Sequence, residues 1–310
     1  MINLFEVRNR VIDTSEFTNL LHSPIVTELE ESIAKYVGAK YSCAINSCTS
    51  ALYLSLKLAN QDTLCTVPTL VTTRFLGAIL QAGSNIRYMD DVDWIGREYI
   101  LWEEDFKIID SAHKVEPNQF TKECRDEDLL VISFYPTKPI GGLQGGMVLS
   151  NDKWKIDWIR QAANFGEDFN VNSWESKSNF IGYQKYMNSV NAYMALESFK
   201  EYPEKRKKLD KIRKTYNREL ASNNLDNGSY HLYRIEVLDN DKFLERAKER
   251  GIICGIHYKP AHRAGAFSPE IPDSYPKSEE MGSKTVSLPF HINLTDKDLM
   301  KIVEMVYDIS

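Results

Sequence analysis

Short apolar runs alternate with amphipathic stretches at helical spacing through the first half of the chain, and this alternation constrains the fold more than any single motif. Tyr41-Ser42-Cys43-Ala44-Ile45 is short and apolar, as a buried strand is, and Ser47-Cys48-Thr49 opens a run from Ala51 to Ala59 with Leu52, Leu56 and Ala59 at helical spacing. The pattern repeats with Leu64-Cys65-Thr66-Val67-Pro68, a helical Phe75 to Ala82 stopped by Gly83, and Ile86-Arg87-Tyr88-Met89. Phe106 to Ile109, Leu129 to Ile132 and Met147 to Leu149 add further short strands. Upstream, Ser23-Pro24 with Glu28, Leu29, Ile33 and Tyr36 predicts a packing helix that is capped by the serine and ends at Gly38. Strands alternating with helices predict an α/β fold whose sheet is mainly parallel and covered on both faces.

The second half reads differently. A helical segment from about Met187 to Leu220, broken near Pro203, precedes His231-Leu232-Tyr233-Arg234-Ile235-Glu236-Val237, which alternates like a half-buried strand. Asp241 to Arg250 is helical, and Thr295 caps a last helix carrying Leu299, Ile302, Val303 and Val306. The 310 residues suffice for two lobes. The division expected is a large domain over residues 1–200, then a connecting helix and a small α+β domain over 201–310.

Composition narrows the function classes. With 43% apolar and 26% charged residues the chain is expected to fold throughout. The net charge of −6 and the absence of a basic stripe interleaved with aromatics set nucleic-acid binding aside, and Lys205-Arg206-Lys207-Lys208 reads as a solvated helix face. Five cysteines without a CxxC pair read as reduced thiols, with no metal site. The start, Met1-Ile2-Asn3-Leu4-Phe5-Glu6-Val7-Arg8, lacks the pattern of a signal peptide, and no apolar run is long enough to span a membrane, so a cytoplasmic protein is expected.

In open α/β sheets ligands sit at the carboxyl ends of strands, which directs attention to three segments. Ser47-Cys48-Thr49-Ser50 brings hydroxyls and free N–H groups to a helix start, which suits a phosphate and equally suits a plain N-cap. Asp110 ends a strand; it can hold a protonated pyridine nitrogen or cap the next helix. Ser133-Phe134-Tyr135-Pro136-Thr137-Lys138 puts a lysine just past a strand and before Gly141-Gly142 and Gly145-Gly146, and a lysine desolvated there has its pKa lowered enough to form a Schiff base. The glycines fit neither a Rossmann fingerprint nor a P-loop; they let the backbone turn tightly or pass close to a cofactor.

At these residues the chain resembles the DegT/DnrJ/EryC1/StrS aminotransferases of sugar-nucleotide metabolism, and the resemblance runs nearly its whole length in order. Asn46-Ser47-Cys48-Thr49-Ser50-Ala51-Leu52 is similar to the family's Ser-Gly-Thr-Ala-Ala-Leu turn, Asp110-Ser111-Ala112-His113 to its Asp-Ala-Ala-Gln/His, and Ser133 to Lys138 with Gly145-Gly146 to its Schiff-base segment. Gly182-Tyr183, Gly255-Ile256-His257-Tyr258 with Pro260 and His262, and Ser287-Leu288-Pro289 come next in family order.

The resemblance implies a fold-type I enzyme dependent on pyridoxal 5'-phosphate, acting in polysaccharide biosynthesis. It would move an amino group from an amino acid, glutamate by family habit, to a nucleotide-linked keto sugar. It further implies Lys138 as the cofactor's lysine, Asp110 on the pyridine nitrogen, His113 near the phenolic oxygen, and Ser47, Cys48, Thr49 and Ser133 around the phosphate. Tyr135, His257, Tyr258 and His262 would meet the substrate. A lysine at 138 argues for transfer over dehydration, since the related dehydratases carry histidine there. A homodimer with shared sites is the family expectation.

The pattern also breaks. The stretch from Asp90 to Asp110 is far shorter than the family's, so one βαβ unit is expected to be missing and the sheet reduced. Cys48 replaces a glycine, and Val71 or Thr72 stands in place of the aromatic that stacks on the cofactor ring, leaving Phe75 as its substitute. Gln184, Lys185 and Tyr186 replace the segment that reaches the neighbouring subunit, and those contacts do not carry over. Two alternatives stay open: the same chemistry on a non-sugar carbonyl or amine, and a catalytically silent relative serving as a binding or regulatory subunit.

Overall fold

The computed structural model describes residues 1–6, 12, 15, 17, 19, 22–59, 63–168, 175, 177–268 and 274–309. Helix α1 (Pro24–Val37) begins with the proline in its first turn and ends at Gly38, whose φ of 82° is the left-handed cap that glycine supplies. Ser23 stands at its N-cap, although its side chain makes no cap hydrogen bond.

The elements follow in the order β1 (Tyr41–Ile45), α2 (Cys48–Ala59), β2 (Leu64–Pro68), α3 (Leu76–Gln81), β3 (Asn85–Met89), β4 (Tyr99–Glu103), β5 (Lys107–Asp110), α4 (Gln119–Glu123), β6 (Leu129–Ser133), β7 (Gly146–Ser150) and α5 (Lys153–Ala163), with helices α4 and α5 added to those the sequence predicts. Among them β4 is the strand that the sequence pattern does not announce.

The α/β class stands, and the sheet is mixed, which corrects the expectation of a mainly parallel one. Its five strands run in the order β1-β7-β6-β5-β4. Only β5 and β6 pair in parallel, while β1–β7, β6–β7 and β4–β5 are antiparallel. For β4 the reason is connection length. Residues 104–106 alone join β4 to β5, far too few for the crossover that a parallel neighbour needs, so the chain makes a hairpin. Strands β2 and β3 form a separate parallel pair beside β4.

Both faces of the sheet are covered, as the alternation in β6 shows. Leu129 and Val131 pack with Leu52 and Leu56 of α2 and Ile156 and Ile159 of α5. Leu130 and Ile132 pack on the other face with Leu29 and Ile33 of α1. Each such aliphatic side chain contributes about 1.5–3 kcal/mol by leaving water.

Helix α6 (Ser189–Lys200) and α7 (Tyr202–Glu219) are separated at Glu201, with Pro203 in the first turn of α7, where the sequence predicted a break. Tyr202 packs into the second sheet face, whereas Leu209, Ile212 and Tyr216 pack into a third core with β8 (Tyr233–Glu236), α8 (Asn240–Glu249), β9 (Thr285–Leu288) and α10 (Asp296–Ile309). Helix α9 (Pro276–Lys284) leads directly into β9, which pairs antiparallel with β8. Thr295 and Asp298 cap α10 reciprocally, the Thr295 hydroxyl accepting from the Asp298 N–H at 3.2 Å and the Asp298 carboxylate from the Thr295 N–H at 3.0 Å. Ile2 bridges to Ile252, so the start of the chain is tied to this C-terminal unit. No helix among the described residues is long and apolar enough to cross a membrane.

Candidate active site

Three segments singled out in the sequence converge because one glycine lies between them. Gly146, the first residue of β7, pairs with Ile45 at the end of β1 on one side and with Ser133 at the end of β6 on the other. A Cβ at Gly146 would lie 2.5 Å from the backbone nitrogen of Cys48, the first residue of α2. Only glycine lets β7 pass so close to the helix start. Asp110 ends β5 beside Val131 of β6, which adds the carboxylate to the same edge.

Above this edge is a cavity of about 860 Å³, lined from the sheet side by Ser47, Cys48, Thr49, Asp110, Ser133 and Lys138. His231, His257 and Tyr258 close it from the C-terminal unit. The Ser47 hydroxyl accepts from the Ser50 N–H at 3.0 Å, so Ser47 does cap α2. Cys48 and Thr49 contribute N–H groups of the first turn, where a helix has no internal acceptor to offer them.

Lys138 ends a tight turn in which its N–H donates to the Tyr135 carbonyl at 2.9 Å. Loss of water around its amine lowers the pKa from the ordinary lysine value to about 8, against the opposing pull of Asp110 and Cys48. Its Nζ lies 3.3 Å from Nε2 of His231. Burial raises the Asp110 pKa, and the Ala112 N–H, the Tyr99 hydroxyl and Lys138 oppose that rise. Burial and Lys138 hold His113 and His231 well below the ordinary histidine value, and His257 at about 3, so all three rings are neutral. The Cys48 thiol, within hydrogen-bonding reach of Ser133, is pushed up by burial and by Asp110.

The residues expected to meet substrate divide. Tyr135 stands exposed at the mouth, its hydroxyl 3.4 Å from Arg74. Phe75, buried at the end of a short 3-10 turn, lines the cavity together with Val71 and Thr72. His257 and Tyr258 line it as well, with His257 Nδ1 held 2.9 Å from the Ser287 hydroxyl. His262 is not among the lining residues, which corrects its expected place at the site. The turn after Pro260 carries its ring against Tyr275 at 4.6 Å and its Nε2 to Glu279 at 2.8 Å. Lys185 reaches back within its own chain, its Nζ 4.8 Å over the Tyr53 ring and 3.5 Å from the Ser50 hydroxyl.

Sequence reasoning missed several lining residues. His231 was visible only as the polar start of an alternating strand. Trp94 lies in a segment read as a deletion. So does Tyr99, which stands behind the lining and reaches Asp110 with its hydroxyl at 2.9 Å. Tyr99 and Leu101 face inward while Ile100 faces outward, and because the outward residue is itself apolar no polar–apolar alternation marks β4.

The chain is similar to known proteins over nearly its whole length. The model of the DegT/DnrJ/EryC1/StrS aminotransferase family matches residues 5–94 and 106–307. A UDP-4-amino-4,6-dideoxy-N-acetyl-beta-L-altrosamine transaminase of Campylobacter jejuni is 24% identical, with 92% of this chain and 89% of that protein aligned. An aminotransferase of Streptoalloteichus hindustanus has the same fold, with a TM-score of 0.84 at 20% identity over 99% of this chain and 98% of that one. An aminotransferase of Helicobacter pylori involved in pseudoaminic acid biosynthesis gives a TM-score of 0.79 at 18% identity over 98% of each chain.

Proposed function

This chain belongs to the DegT/DnrJ/EryC1/StrS aminotransferase family, and from that premise we propose that it transfers an amino group from an amino acid, glutamate first among them, to a keto sugar carried on a nucleotide, using pyridoxal phosphate held by Lys138. The observation that carries the reading is the buried Lys138 amine, with its pKa lowered to about 8, in one cavity with Asp110 and the open start of α2.

The residues fit the cofactor part by part. The first turn of α2, with Ser47, Cys48, Thr49 and nearby Ser133, would take the phosphate, since a helix N-terminus offers unpaired N–H groups and the positive end of its dipole. Asp110 would pair with the ring nitrogen, and Phe75 and Val71 supply apolar surface for the ring. When bound, the group serves as an electron sink for the carbon that loses or gains the amine.

The chain's own residues would do the rest. Lys138 holds the cofactor and, once displaced by the donor, moves a proton at its Nζ; the lowered pKa keeps a useful fraction of that amine neutral near pH 7. His231, 3.3 Å away and neutral, accepts a hydrogen bond from the displaced amine and steadies it. Tyr135, His257 and Tyr258 frame the opening through which substrate enters. We also place the lobe boundary near residue 200, before α7, and read the working unit as a homodimer.

A second reading, the same chemistry on a non-sugar carbonyl or amine, draws support from residues 95–105, which the family model passes over and which reach the site's Asp110 through the Tyr99 hydroxyl.

The deciding measurement is the visible spectrum with added pyridoxal phosphate, before and after glutamate, beside Lys138→Ala. A band at about 420 nm that glutamate moves to about 330 nm, absent from the variant, is the expected result, and a wild type with no band overturns the cofactor assignment. Trials with nucleotide-linked keto sugars against simple keto acids as acceptors then separate the two readings.

A further inference from the structure

Trp94, the last residue before the stretch that the family model skips, and Gly96 and Tyr99 within it grip two polar groups of the cavity, Asp110 and His113. Tyr99 sits opposite Asp110 in the β4–β5 register and is 5% exposed. Its hydroxyl donates to Oδ2 of Asp110 at 2.9 Å, while the Ala112 N–H donates to Oδ1 at 3.0 Å. An ionised carboxylate offers about four acceptor positions, so two remain for a ligand.

His113 is held in a comparable way. The Gly96 N–H donates to its Nδ1 at 3.1 Å, which leaves no proton on that nitrogen. A neutral ring then carries its proton on Nε2, which faces the Tyr258 hydroxyl at 2.8 Å and donates to it. The Trp94 ring lies on His113, centroids 4.9 Å apart and planes 26° apart, and meets Tyr99 edge-on at 5.1 Å. Gly96 has a φ of 90°, and a Cβ there would come 2.6 Å from the Ser229 side chain, so the turn that aims its N–H depends on glycine.

We infer that residues 94–99 are a positioning clamp for the reaction: Tyr99 sets the orientation and ionisation of Asp110, and Trp94 with Gly96 fixes the His113 tautomer, so that Tyr258 carries the hydroxyl proton offered to the cavity. The inference rests on the pyridoxal phosphate reading for what Asp110 and Tyr258 meet. His113 is expected from resemblance to approach the cofactor itself; here both of its nitrogens are already engaged with protein. Among the described residues, no side chain or backbone group accepts the proton of the Tyr258 hydroxyl, which lines the cavity.

The other ionisable groups acting on Asp110 and His113 are Cys48, Lys138, His257 and Arg234, together with His231 packed against the His113 ring. None of them lies in the clamp, so a change in Tyr99 leaves them in place.

Tyr99→Phe keeps the ring against Trp94 and removes only the hydroxyl. Without that donor the Asp110 carboxylate is more basic and draws the ring-nitrogen proton more strongly. The nitrogen joining Lys138 to the cofactor then loses less electron density and binds its own proton more tightly. The pH midpoint of the visible band is expected to move up by roughly half a unit to one unit, with cofactor affinity about 3- to 10-fold weaker and an unchanged circular dichroism spectrum. A folded Tyr99→Phe protein with wild-type midpoint and affinity overturns the role of Tyr99. Long-range nitrogen–proton correlation spectra of the cofactor-free wild type test the second half, with His113 expected to be protonated on Nε2; a proton on Nδ1 overturns it. That measurement needs no visible band, so a wild type that fails to colour sinks the cofactor reading while the clamp on His113 is still decided.

Discussion

The frame made by β1, α2, β6 and β7 lines the cavity, the hairpin that begins at Tyr99 reaches it through Asp110, and the two were legible to very different degrees. In the frame, glycine, serine and lysine sit at spacings that disclose their places, and one close approach at Gly146 locks the helix start, the Ser133 strand end and the returning strand together. In β4 and the turn before it the relevant residues carry no motif; Tyr99 and Trp94 matter because of what they touch. Here an antiparallel edge strand and the turn before it supply contacts to Asp110 and His113. Frame residues are therefore expected to abolish chemistry when changed, and hairpin residues to tune it.

The sharpest way to break that contrast is Lys138→Ala. Loss of the amine is expected to remove the visible band and lower transamination by about 10⁴-fold, at the upper end of what a general acid–base group contributes. A variant within a few-fold of wild type would remove the frame's claim to the chemistry.

Gly146→Ala comes next. The added methyl meets the Cys48 backbone at 2.5 Å, and backbone cannot swing aside as a flexible side chain can. Overpacking of this kind costs about 1–3 kcal/mol, readable as a lower denaturant midpoint, and cofactor affinity is expected to fall with it. Unchanged affinity would mean that the start of α2 is not the phosphate site.

The frame also predicts a pH dependence. Lys138 binds its proton more weakly than an ordinary lysine, with a pKa of about 8, so its neutral, reactive fraction grows as pH rises to that value and levels off above it. Cofactor uptake by the free protein, measured at the visible band, is expected to slow about tenfold for each pH unit below 8. A midpoint near that of free lysine would show that the amine is not desolvated.

The smallest effect is expected outside both regions. His262 pairs with a half-buried Glu279 away from the cavity, so His262→Ala should change stability by less than about 1 kcal/mol and leave turnover within about twofold. A large loss of turnover would restore it to the site.

The same division explains how much could be read in advance. The helix of residues 24–37, the break before α7, the strand ends at Asp110 and Ser133 and the reciprocal cap at Thr295 were all legible, because each depends on residues within a few positions of one another. The direction of β4 was not, since three connecting residues between β4 and β5 decide it and β4 itself is interrupted by a bulge, and neither was that of β7, which runs antiparallel to both neighbours. His262 was misplaced for a similar reason: its position in the sequence matches the family order, while Glu279 on a separate helix determines where its ring goes.

By itself, then, the sequence determined the α/β class, the family, and a lysine, an aspartate and a helix start placed after strands, because strand ends and helix caps are encoded in neighbouring residues. Tertiary structure alone decided that His231 stands 3.3 Å from the Lys138 amine, that Tyr99 holds Asp110, and that His113 is committed to Gly96 and Tyr258. The His231–Lys138 and His113–Tyr258 contacts join residues 93 and 145 positions apart, and only packing of the C-terminal unit against the sheet brings them together. The Tyr99 and Gly96 contacts are closer in sequence, but they form only once β4 folds back on β5 and closes the edge of the sheet.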